Sequence, residues 1–478
     1  MRLPTPTALL LVMTGASRKS LARPSSRGLR CALAVLGCWC AAAGLSAEEF
    51  PKTAENGSLR LTVSSVRMTG SYGGRSAPPG RQWFVVGCRW LNRIDARRAA
   101  EREAVTMVEV GDLAQHLYLV TDGALGTLQR LSGERGRKSL GEVVLGKPGD
   151  SLIGDLVFEI PAERGAGAEL RFYDDIAGHF TMVLGEPLPT PQPVGALARN
   201  QVGEFGVFGI EDPAAVPEGV VVPQGCRLVA VDFRGRSVWT TTGDAPVYDF
   251  SKPAGAQVER VNLLDWPGTA QSCVLLVEGE YAYLPIGGTL PDDARFLPEV
   301  FTGGTLLFAV PREARALELR GTPGRAGTED GVLELAPVRL RVGGGEPSPT
   351  AWTMPLRITD EMFHVAVAAR RERSFAGEDT GEGREFLVLD VGVENTGAGD
   401  EYFQPAEQLQ VVDGEADPIA CDEATWRGTR APAHAVHVPA GERRRFELAF
   451  RVAAGATPKL AFRGGSFEEQ YELPVKSP

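Results

Sequence analysis

The stretch Gly383-Arg-Glu-Phe-Leu-Val-Leu-Asp-Val-Gly-Val-Glu-Asn395 follows a glycine turn and carries branched apolar residues at alternate positions. This period-two alternation is typical of a β-strand with one face in a hydrophobic core. Two other stretches, 80–92 and 224–233, have the same character. The side chains that the alternation predicts on inner faces are Trp83, Val85, Phe386, Val388 and Phe450.

Two further signals recur in the same order after each of these stretches. One is a strand closed by an acid and a glycine, at 117–123, 274–279 and 409–414. The acid–glycine pair is a strong signal for a hairpin turn, because glycine adopts positive φ without steric cost. The other signal is a strand centred on a phenylalanine, at Phe158, Phe308 and Phe450. Ordered signals that repeat three times predict three copies of one unit.

Two segments in which proline and glycine replace the alternation, 185–195 and 343–349, divide the chain. We call the resulting blocks the first copy (48–187), the second copy (198–343) and the third copy (353–478). Short strands, frequent turns and almost no helical periodicity predict an all-β fold with one antiparallel β-sandwich in each copy. The high content of 57 glycines and 34 prolines fits this expectation. The one helix expected is a short charged insertion within 93–103.

The third copy has a further pattern. Its strand 386–395 is followed by Thr396-Gly397, and the strands 409–414 and 448–452 lie downstream. This order resembles the telokin-like immunoglobulin sandwiches of bacterial secreted proteins, most clearly over residues 383–475. The resemblance implies three tandem immunoglobulin-like sandwiches that bind or interact outside the cytoplasm, and it implies no catalytic residues.

The second copy departs from this pattern at two places. Residues 232–234 stand where the Asn-Thr-Gly turn is expected, and the segment 239–267 is additional.

The first 47 residues have the pattern of a signal peptide. They contain six basic and no acidic residues, then the apolar run 31–45, and then Ser46-Ala47 before the predicted cleavage site. Met13 could be the true start of the chain. Two alternatives to simple cleavage stay open. Cys38 could be lipidated, although it stands in a poor lipoprotein box, or the segment could stay uncleaved and anchor the chain to a membrane. We expect cleavage after Ala47 and export to the periplasm, the cell surface or the extracellular medium.

The remaining chain is acidic, with 44 basic side chains against 61 acidic ones. A nucleic-acid partner is disfavoured, because phosphate binding needs a basic face. Histidine, with five residues, and aromatic residues, at 7%, are scarce. The partner expected for an exported acidic protein is an envelope or extracellular protein or glycan, and no cofactor is expected.

One short motif raises the possibility of a hydrolase. Gly149-Asp-Ser-Leu152 matches the nucleophile box of secreted esterases, with Ser151 as the nucleophile and His179 as the nearest histidine in sequence. The motif lies before a strand in a β-rich block, whereas such esterases place it after the first strand of an α/β sheet. The segments 302–305 and 440–443 occupy the same place in the other copies. A turn that each copy reuses is therefore the preferred interpretation.

Several acidic and histidine residues are candidate metal ligands. Asp413-Gly-Glu-Ala-Asp417 has alternating acids, but Pro418 and Ala424 stand where an EF-hand needs glycine and glutamate. The weak candidates for a looser calcium site are Asp413, Glu415 and Asp417, with Asp422 and Glu423 nearby. The segment 173–179 is a further candidate, for which a polar loop is the preferred interpretation. His434 and His437 are another, but in a strand their rings would point to opposite faces and could not share a metal ion.

Four cysteines follow the predicted signal peptide. Cys226 and Cys273 are candidates for a disulfide in an oxidising compartment, with two buried free thiols as the alternative. Cys88 and Cys421 are expected to be core residues. Four tryptophans could form a sugar-binding platform if they shared an exposed face. The alternative is that they occupy core or rim positions. They are Trp239, Trp266, Trp352 and Trp426.

These observations predict an exported, non-catalytic binding or interaction protein built of three immunoglobulin-like modules. Ligands would contact loops at the sandwich ends or exposed strand edges. Two alternatives stay open, a carbohydrate- or calcium-dependent adhesion module and a secreted esterase that uses Ser151.

Overall fold

The computed structural model describes residues 50–474, except 135, 163–166, 224, 323–324, 329–330, 344–353, 414–417, 429, 433 and 465–469. The predicted signal peptide, Trp352, Glu415 and Asp417 therefore lie outside the described residues. The described residues fall in one compact unit. Within them, no helix is long and apolar enough to cross a membrane.

The first copy contains twelve strands and two short helices. They are β1 (Lys52–Glu55), β2 (Leu59–Thr69), β3 (Ser71–Tyr72), β4 (Arg75–Ser76), β5 (Arg81–Asn92), α1 (Ala96–Glu101), β6 (Val108–Val110), α2 (Leu113–His116), β7 (Leu117–Thr121), β8 (Ala124–Leu128), β9 (Val143–Leu145), β10 (Ser151–Pro161), β11 (Glu169–Asp174) and β12 (Gly178–Val183). Helix α1 is the predicted charged insertion. It begins at Asp95, whose carboxylate accepts the amides of Arg97 and Arg98.

The second copy continues with β13 (Ala198–Arg199), β14 (Gly203–Glu211), β15 (Cys226–Ser237), β16 (Thr240–Asp244), β17 (Gln257–Val261), β18 (Leu264–Pro267), α3 (Thr269–Ser272), β19 (Cys273–Val277), β20 (Tyr281–Tyr283), β21 (Gly287–Gly288), β22 (Asp293–Phe296), β23 (Thr302–Pro311), β24 (Leu317–Gly321), β25 (Arg325–Thr328), β26 (Gly331–Glu334) and β27 (Val338–Gly343).

The third copy comprises β28 (Leu356–Thr359), β29 (Phe363–Glu372), β30 (Ser374–Phe375), β31 (Glu378–Asp379), β32 (Arg384–Asn395), β33 (Glu401–Phe403), α4 (Pro405–Gln408), β34 (Leu409–Val412), a 3-10 turn (Glu423–Arg427), β35 (Val436–Val438), β36 (Arg443–Ala453), β37 (Lys459–Arg463) and β38 (Gln470–Pro474).

The fold is all-β, and one strand order recurs three times. A long central strand lies between two neighbours in the orders β2-β5-β10, β14-β15-β23 and β29-β32-β36. A second layer has the orders β7-β11-β12, β19-β24-β27 and β34-β37-β38. A short pair follows in each copy, β6-β9, β18-β22 and β33-β35. All these pairings are antiparallel.

Each copy encloses its own hydrophobic core, and Phe158, Phe308 and Phe450 are fully buried in these cores. The prediction of which side chains face the main core was wrong for four residues, Trp83, Val85, Phe386 and Val388. Trp83 and Val85 are buried, but they lie in a small cluster under the hairpin β3–β4 with Tyr72. The main core of the first copy takes the opposite face of β5, including Phe84.

The third copy repeats this arrangement. Phe386 and Val388 pack under the hairpin β30–β31 with Phe375, whereas Leu387 and Leu389 lie in the main core. Both faces of these central strands are covered, so alternation alone could not identify the face that packs against the second layer.

The central strands of the first and third copies end at a buried asparagine. The Asn395 amide donates to the carbonyls of Gly399 and Val438, both at 2.8 Å, and Asn92 makes the corresponding bonds to Thr106 and Leu145. In the second copy Ser237 ends β15. Residues 232–234 lie inside β15, so their predicted equivalence with the Asn-Thr-Gly turn was wrong.

The turn before the phenylalanine strand also recurs. Gly149 and Gly441 have φ of 86° and 72°, and each donates its amide to the carbonyl of the asparagine that ends the central strand. Glu299, with φ of 65°, takes the corresponding place in the second copy. Residues 302–305 lie within β23, which corrects the predicted position of this turn.

The copies contact each other through equivalent positions. The amide of Gly303 donates to the carbonyl of Gly123 at 2.9 Å, and the amide of Arg445 donates to the carbonyl of Glu280 at 3.0 Å. Gly303 and Arg445 both lie five residues before the phenylalanine of their strand. Through the second contact β20 pairs with β36 in parallel, so that one eight-stranded sheet runs through the second and third copies.

The additional segment 239–267 of the second copy reaches the first copy. Tyr248 lies in the core of the first copy and is only 4% exposed, and its hydroxyl donates to the carbonyl of Val105 at 2.9 Å. This departure from the repeated pattern therefore joins two copies.

Candidate functional site

A groove with a volume of about 1580 Å³ lies where the second and third copies meet. The second copy contributes the loop 221–223 and the segment 283–288, and the third copy contributes 374–377 and 426–428. Pockets for small molecules typically enclose about 300–1,000 Å³. The groove is therefore large enough for a segment of a polymer, and we treat it as the candidate binding site.

Several charged side chains that line the groove form ion pairs. The carboxylate of Glu447, whose side chain is 9% exposed, accepts from Arg370 at 2.9 Å and lies 3.5 Å from Arg430. Arg370 also pairs with Glu372 at 2.6 Å. Strand β36 holds Glu447 and strand β29 holds Arg370, and the two side chains meet across β32, which lies between these strands.

Tyr283 lines the groove at the end of β20 and is 4% exposed. Its hydroxyl is buried and makes no hydrogen bond of standard geometry among the described residues, although the guanidinium of Arg430 interacts with it. Burial raises the pKa of Tyr283 well above its usual range, and the positive charge of Arg430 opposes this change. The hydroxyl is therefore neutral. A buried polar group without a well-formed hydrogen bond is costly, so Tyr283 is a feature of the groove that packing alone does not explain.

One wall of the groove is aromatic. Trp426 is half-buried and its ring lies 4.6 Å from that of the exposed His434, at an angle of 44°. Trp426 belongs to the 3-10 turn, which Asp422 fixes by accepting the amide of Ala424 and pairing with Arg451 at 3.1 Å. The neighbouring hairpin β30–β31 contributes Phe375.

The opposite wall is aliphatic and ends in a strand edge. Val221 is 80% exposed and Ile286 is 39% exposed. The strand β21 follows Ile286 and is the last strand in the sheet β13-β14-β15-β23-β21. Its two residues are glycines, and the side chain of Val220 lies near Gly287.

A second cavity of about 540 Å³ lies between the first and second copies. Its lining includes Arg81, Pro161 and residues 288–292. The segment that follows β21 therefore borders both cavities.

The predicted hydrolase residues do not come together. Ser151 is exposed at the start of β10 and, in the part of the chain that the structure describes, makes no hydrogen bond to a histidine. His179 is exposed on β12. His116 lies 3.3 Å from Asp174, whose carboxylate also accepts the amides of Ile176 and Ala177 in the β11–β12 turn. The segment 173–179 is thus a polar hairpin turn, in line with the polar loop expected from the sequence.

The predicted calcium ligands fall partly outside the described residues. Asp413 follows β34, whereas Glu415 and Asp417 are among the residues not described. Asp422 is engaged by the 3-10 turn and by Arg451. Across the described ranges, no three side chains of His, Cys, Asp or Glu are grouped closely enough to hold a metal ion.

Cys226 and Cys273, the candidates for a disulfide, are both free and buried, which is the alternative that the sequence left open. Cys226 starts β15, whereas Cys273 starts β19 in the other layer and packs against Trp266 in the core. Burial raises the pKa of the Cys273 thiol to about 12. Cys88 is also buried in a core, and Cys421 is half-buried beside the core of the third copy.

The histidine pair and the tryptophans are dispersed. His437 lies on β35 between Asp400 and Thr322, whereas His434 precedes the strand and contacts Trp426. Trp266 is 1% exposed in the core of the second copy, and Trp239 packs against the same core. Of the three candidate tryptophans that the structure describes, Trp426 alone lines the groove.

Comparison of the chain with protein-family models, with curated proteins and with solved structures finds no match. The candidate site therefore rests on geometry. Sequence analysis singled out Trp426 and His434 separately but missed Tyr283, Arg370 and Glu447. These three residues come together through the contact between β20 and β36, for which the sequence carries no local signal.

Proposed function

We propose that this chain is an exported, non-catalytic binding protein, in which the three copies form a scaffold and the groove between the second and third copies holds the ligand. The observation that carries the proposal is the groove of about 1580 Å³ at the junction of two copies, with the exposed Val221 and Ile286 on one wall and Trp426 on the other. Sites at the junction of two packed modules are common places for ligands. The N-terminal pattern supports export, and the mature chain would begin at Glu48.

A photo-crosslinking residue tests this proposal directly. Placed at Ile286 in the groove, it should capture an extracytoplasmic protein or glycan when irradiated in cells that export the chain. Val144, which is 50% exposed on β9 of the first copy, is the matched control position. Equal products at both positions, or none at Ile286, would contradict the proposed site.

The same cells test export. Intact mass and N-terminal sequencing of the chain from the extracytoplasmic fraction should give Glu48 as the first residue. Recovery of the full-length chain in the cytoplasm would contradict the proposed location.

A further inference from the structure

The second and third copies each use one face to receive the copy before them. In both, the residue five places before the core phenylalanine donates its backbone amide to the preceding copy. The outward residue in the middle of β22 and of β35 contacts the preceding copy as well. Arg295 donates to the hydroxyl of Tyr118 at 2.6 Å, and Nδ1 of His437 lies 3.4 Å from the hydroxyl of Thr322. We call the face that carries these positions the receiving face.

The first copy has the same face, and the described residues include no copy that packs on it. Ile153 stands five places before Phe158, and Val144 is the middle residue of β9. Met107 precedes β6 as Leu263 precedes β18, where Leu263 packs on the first copy. Ile153, Val144 and Met107 are 55%, 50% and 43% exposed. Terminal units of repeat proteins normally have a polar outer face, so these apolar side chains indicate a docking surface.

The backbone of β10 is also open at this face. The amide of Asp155 donates to the carbonyl of Lys138, and its carbonyl accepts the amide of Leu140, both at 2.8 Å. Alternate residues of a strand present their backbone groups to the same edge, so the amide of Ile153 also faces away from β5. In β23 and β36 the amide at this position forms the hydrogen bond to the preceding copy. The first copy therefore presents the same donor without the neighbour that uses it.

The receiving face of the first copy is acidic. In the third copy, Glu442 follows the turn glycine before β36 and pairs with Arg320 of the second copy. Asp150 takes this place in the first copy and pairs with no basic side chain among the described residues. Glu109, which lies opposite Val144 in the β6–β9 pair, is exposed. An occupant that brings positive charge would complement this face.

The third copy carries cations at the place that meets a receiving face in the other copies. There, an outward arginine of β11 or β24 contacts the next copy. In β37, Leu460 and Phe462 belong to the core, so the outward residues are Lys459, Ala461 and Arg463. Ala461 takes the place of the arginines, and Lys459 and Arg463 on either side of it are exposed. We call this outward side of β37 the presenting face, and its charge is opposite to that of the acids on the first copy.

We propose that the chain associates head to tail with a second molecule of itself, so that the presenting face of one molecule docks on the receiving face of the first copy of the next. The contact would repeat the arrangement that joins successive copies within one chain. A contact between unlike faces leaves one face free at each end of a dimer, so that longer rows can grow. This inference is independent of the groove.

Sedimentation velocity over a wide range of concentrations tests the association. Residues 48–478, which contain all the described residues, should form dimers and longer species as the concentration rises. Ile153→Lys places a cation on the edge of β10 and towards the cationic presenting face, so it should weaken association at least tenfold. Val216→Lys, at a residue of the second copy that is 53% exposed, is the matched control and should associate like the wild type. A wild type that stays monomeric at millimolar concentration, or equal weakening by both substitutions, would overturn the inference.

Mixing two blocked variants tests the pairing of unlike faces. Lys459→Glu combined with Arg463→Glu reverses the charge of the presenting face, whereas Ile153→Lys blocks the receiving face. Each variant alone should stay monomeric. An equimolar mixture should form dimers and no longer species, because one intact receiving face meets one intact presenting face. A mixture that stays monomeric, or that forms long rows, would overturn the head-to-tail contact.

Photo-crosslinking separates this inference from the proposed function. In the purified protein, a crosslinker at Val144 should give a product of twice the mass of the chain, and the charge reversal at Lys459 and Arg463 should abolish it. Capture of another molecule at Ile286 in cells should not depend on that reversal. No dimer from Val144 with capture at Ile286 intact would contradict the association alone. The opposite result would contradict the proposed groove alone.

Discussion

At the scale of single residues, most polar groups that the cores bury are paired, and among the described residues the Tyr283 hydroxyl is an exception, as are Trp90 Nε1 and Thr121 Oγ1. Tyr248 is the natural comparison, since it is equally buried but donates to the carbonyl of Val105. Each tyrosine follows an apolar residue in the sequence, which does not show whether its hydroxyl has a partner. Hydrogen-bond partners come from distant segments, which local patterns do not encode.

Replacing Tyr283 by phenylalanine should leave the free energy of unfolding unchanged or raise it by about 1 kcal/mol, because a buried unpaired hydroxyl is removed. Tyr248→Phe should lower it by about 1 kcal/mol, because a hydrogen bond is lost. Urea unfolding followed by fluorescence measures both. A loss of stability in Tyr283→Phe equal to that in Tyr248→Phe would show that the Tyr283 hydroxyl makes a stabilising hydrogen bond.

His437 links stability to pH. Burial lowers the pKa of His437 from its ordinary value of 6.5, and Arg444 and Arg320 act in the same direction against the opposing charge of Asp400. The unfolded chain therefore binds the proton more readily than the folded one. Stability from this residue is complete above pH 6.5 and falls as the pH drops towards the lowered pKa of the folded state.

Urea midpoints at pH 7.5 and pH 5.5 should therefore differ more for the wild type than for His437→Gln, which cannot take up the proton. His434→Gln is the matched control, since His434 is exposed, and it should behave like the wild type. An unchanged pH dependence in His437→Gln would show that the folded protein accommodates the charge.

At the scale of elements, the repeat was visible in the sequence because it is carried by features that local chemistry dictates. The acid–glycine turns, the buried phenylalanines and the asparagine that ends the central strand all reappear in the strand pairing. The face assignment of the central strands failed. The short hairpins β3–β4 and β30–β31 cover the second face, and hairpins of two-residue strands leave little trace in the sequence.

The buried asparagines Asn92 and Asn395 should contribute similar amounts to the free energy of unfolding. Asn395→Ala leaves the carbonyls of Gly399 and Val438 without their donor and should cost about 2–4 kcal/mol. Asn92→Ala should cost a similar amount, because its bonds correspond. Asn262→Ala, a substitution at a half-buried residue, should cost less than about 1 kcal/mol. Chemical denaturation compares the three, and a cost at Asn395 no larger than at Asn262 would contradict the structural role.

At the scale of the whole molecule, the copies are joined by contacts that the single units do not predict. Gly123 illustrates this point, because a Cβ there would lie 2.0 Å from the guanidinium of Arg234 in the second copy. Arg171 of the first copy donates to the carbonyl of Pro298 in the second at 3.1 Å, and Arg320 of the second pairs with Glu442 in the third. Both arginines belong to a Glu-Leu-Arg motif, at 169–171 and 318–320. The sequence alone does not show that the motif contacts the next copy.

Tyr248 gives a test of this joining. Tyr248→Ala should lower the stability of the first copy by about 3 kcal/mol, because the lost side chain fills that core although it belongs to the second copy. Limited proteolysis should then cut within the first copy sooner, while the third copy keeps its wild-type rate of cleavage. Faster cleavage confined to 239–267 would show that this segment does not support the first copy.

The central claim is that the second and third copies are joined through β20 and β36, which together create the groove. Amide hydrogen exchange at Arg445, whose amide donates to Glu280, tests this claim most directly. We predict exchange as slow as that of Leu448 in the middle of the same strand. Rapid exchange at Arg445 while Leu448 stays protected would show that the two copies separate, and the groove would then not be a lasting feature of the molecule.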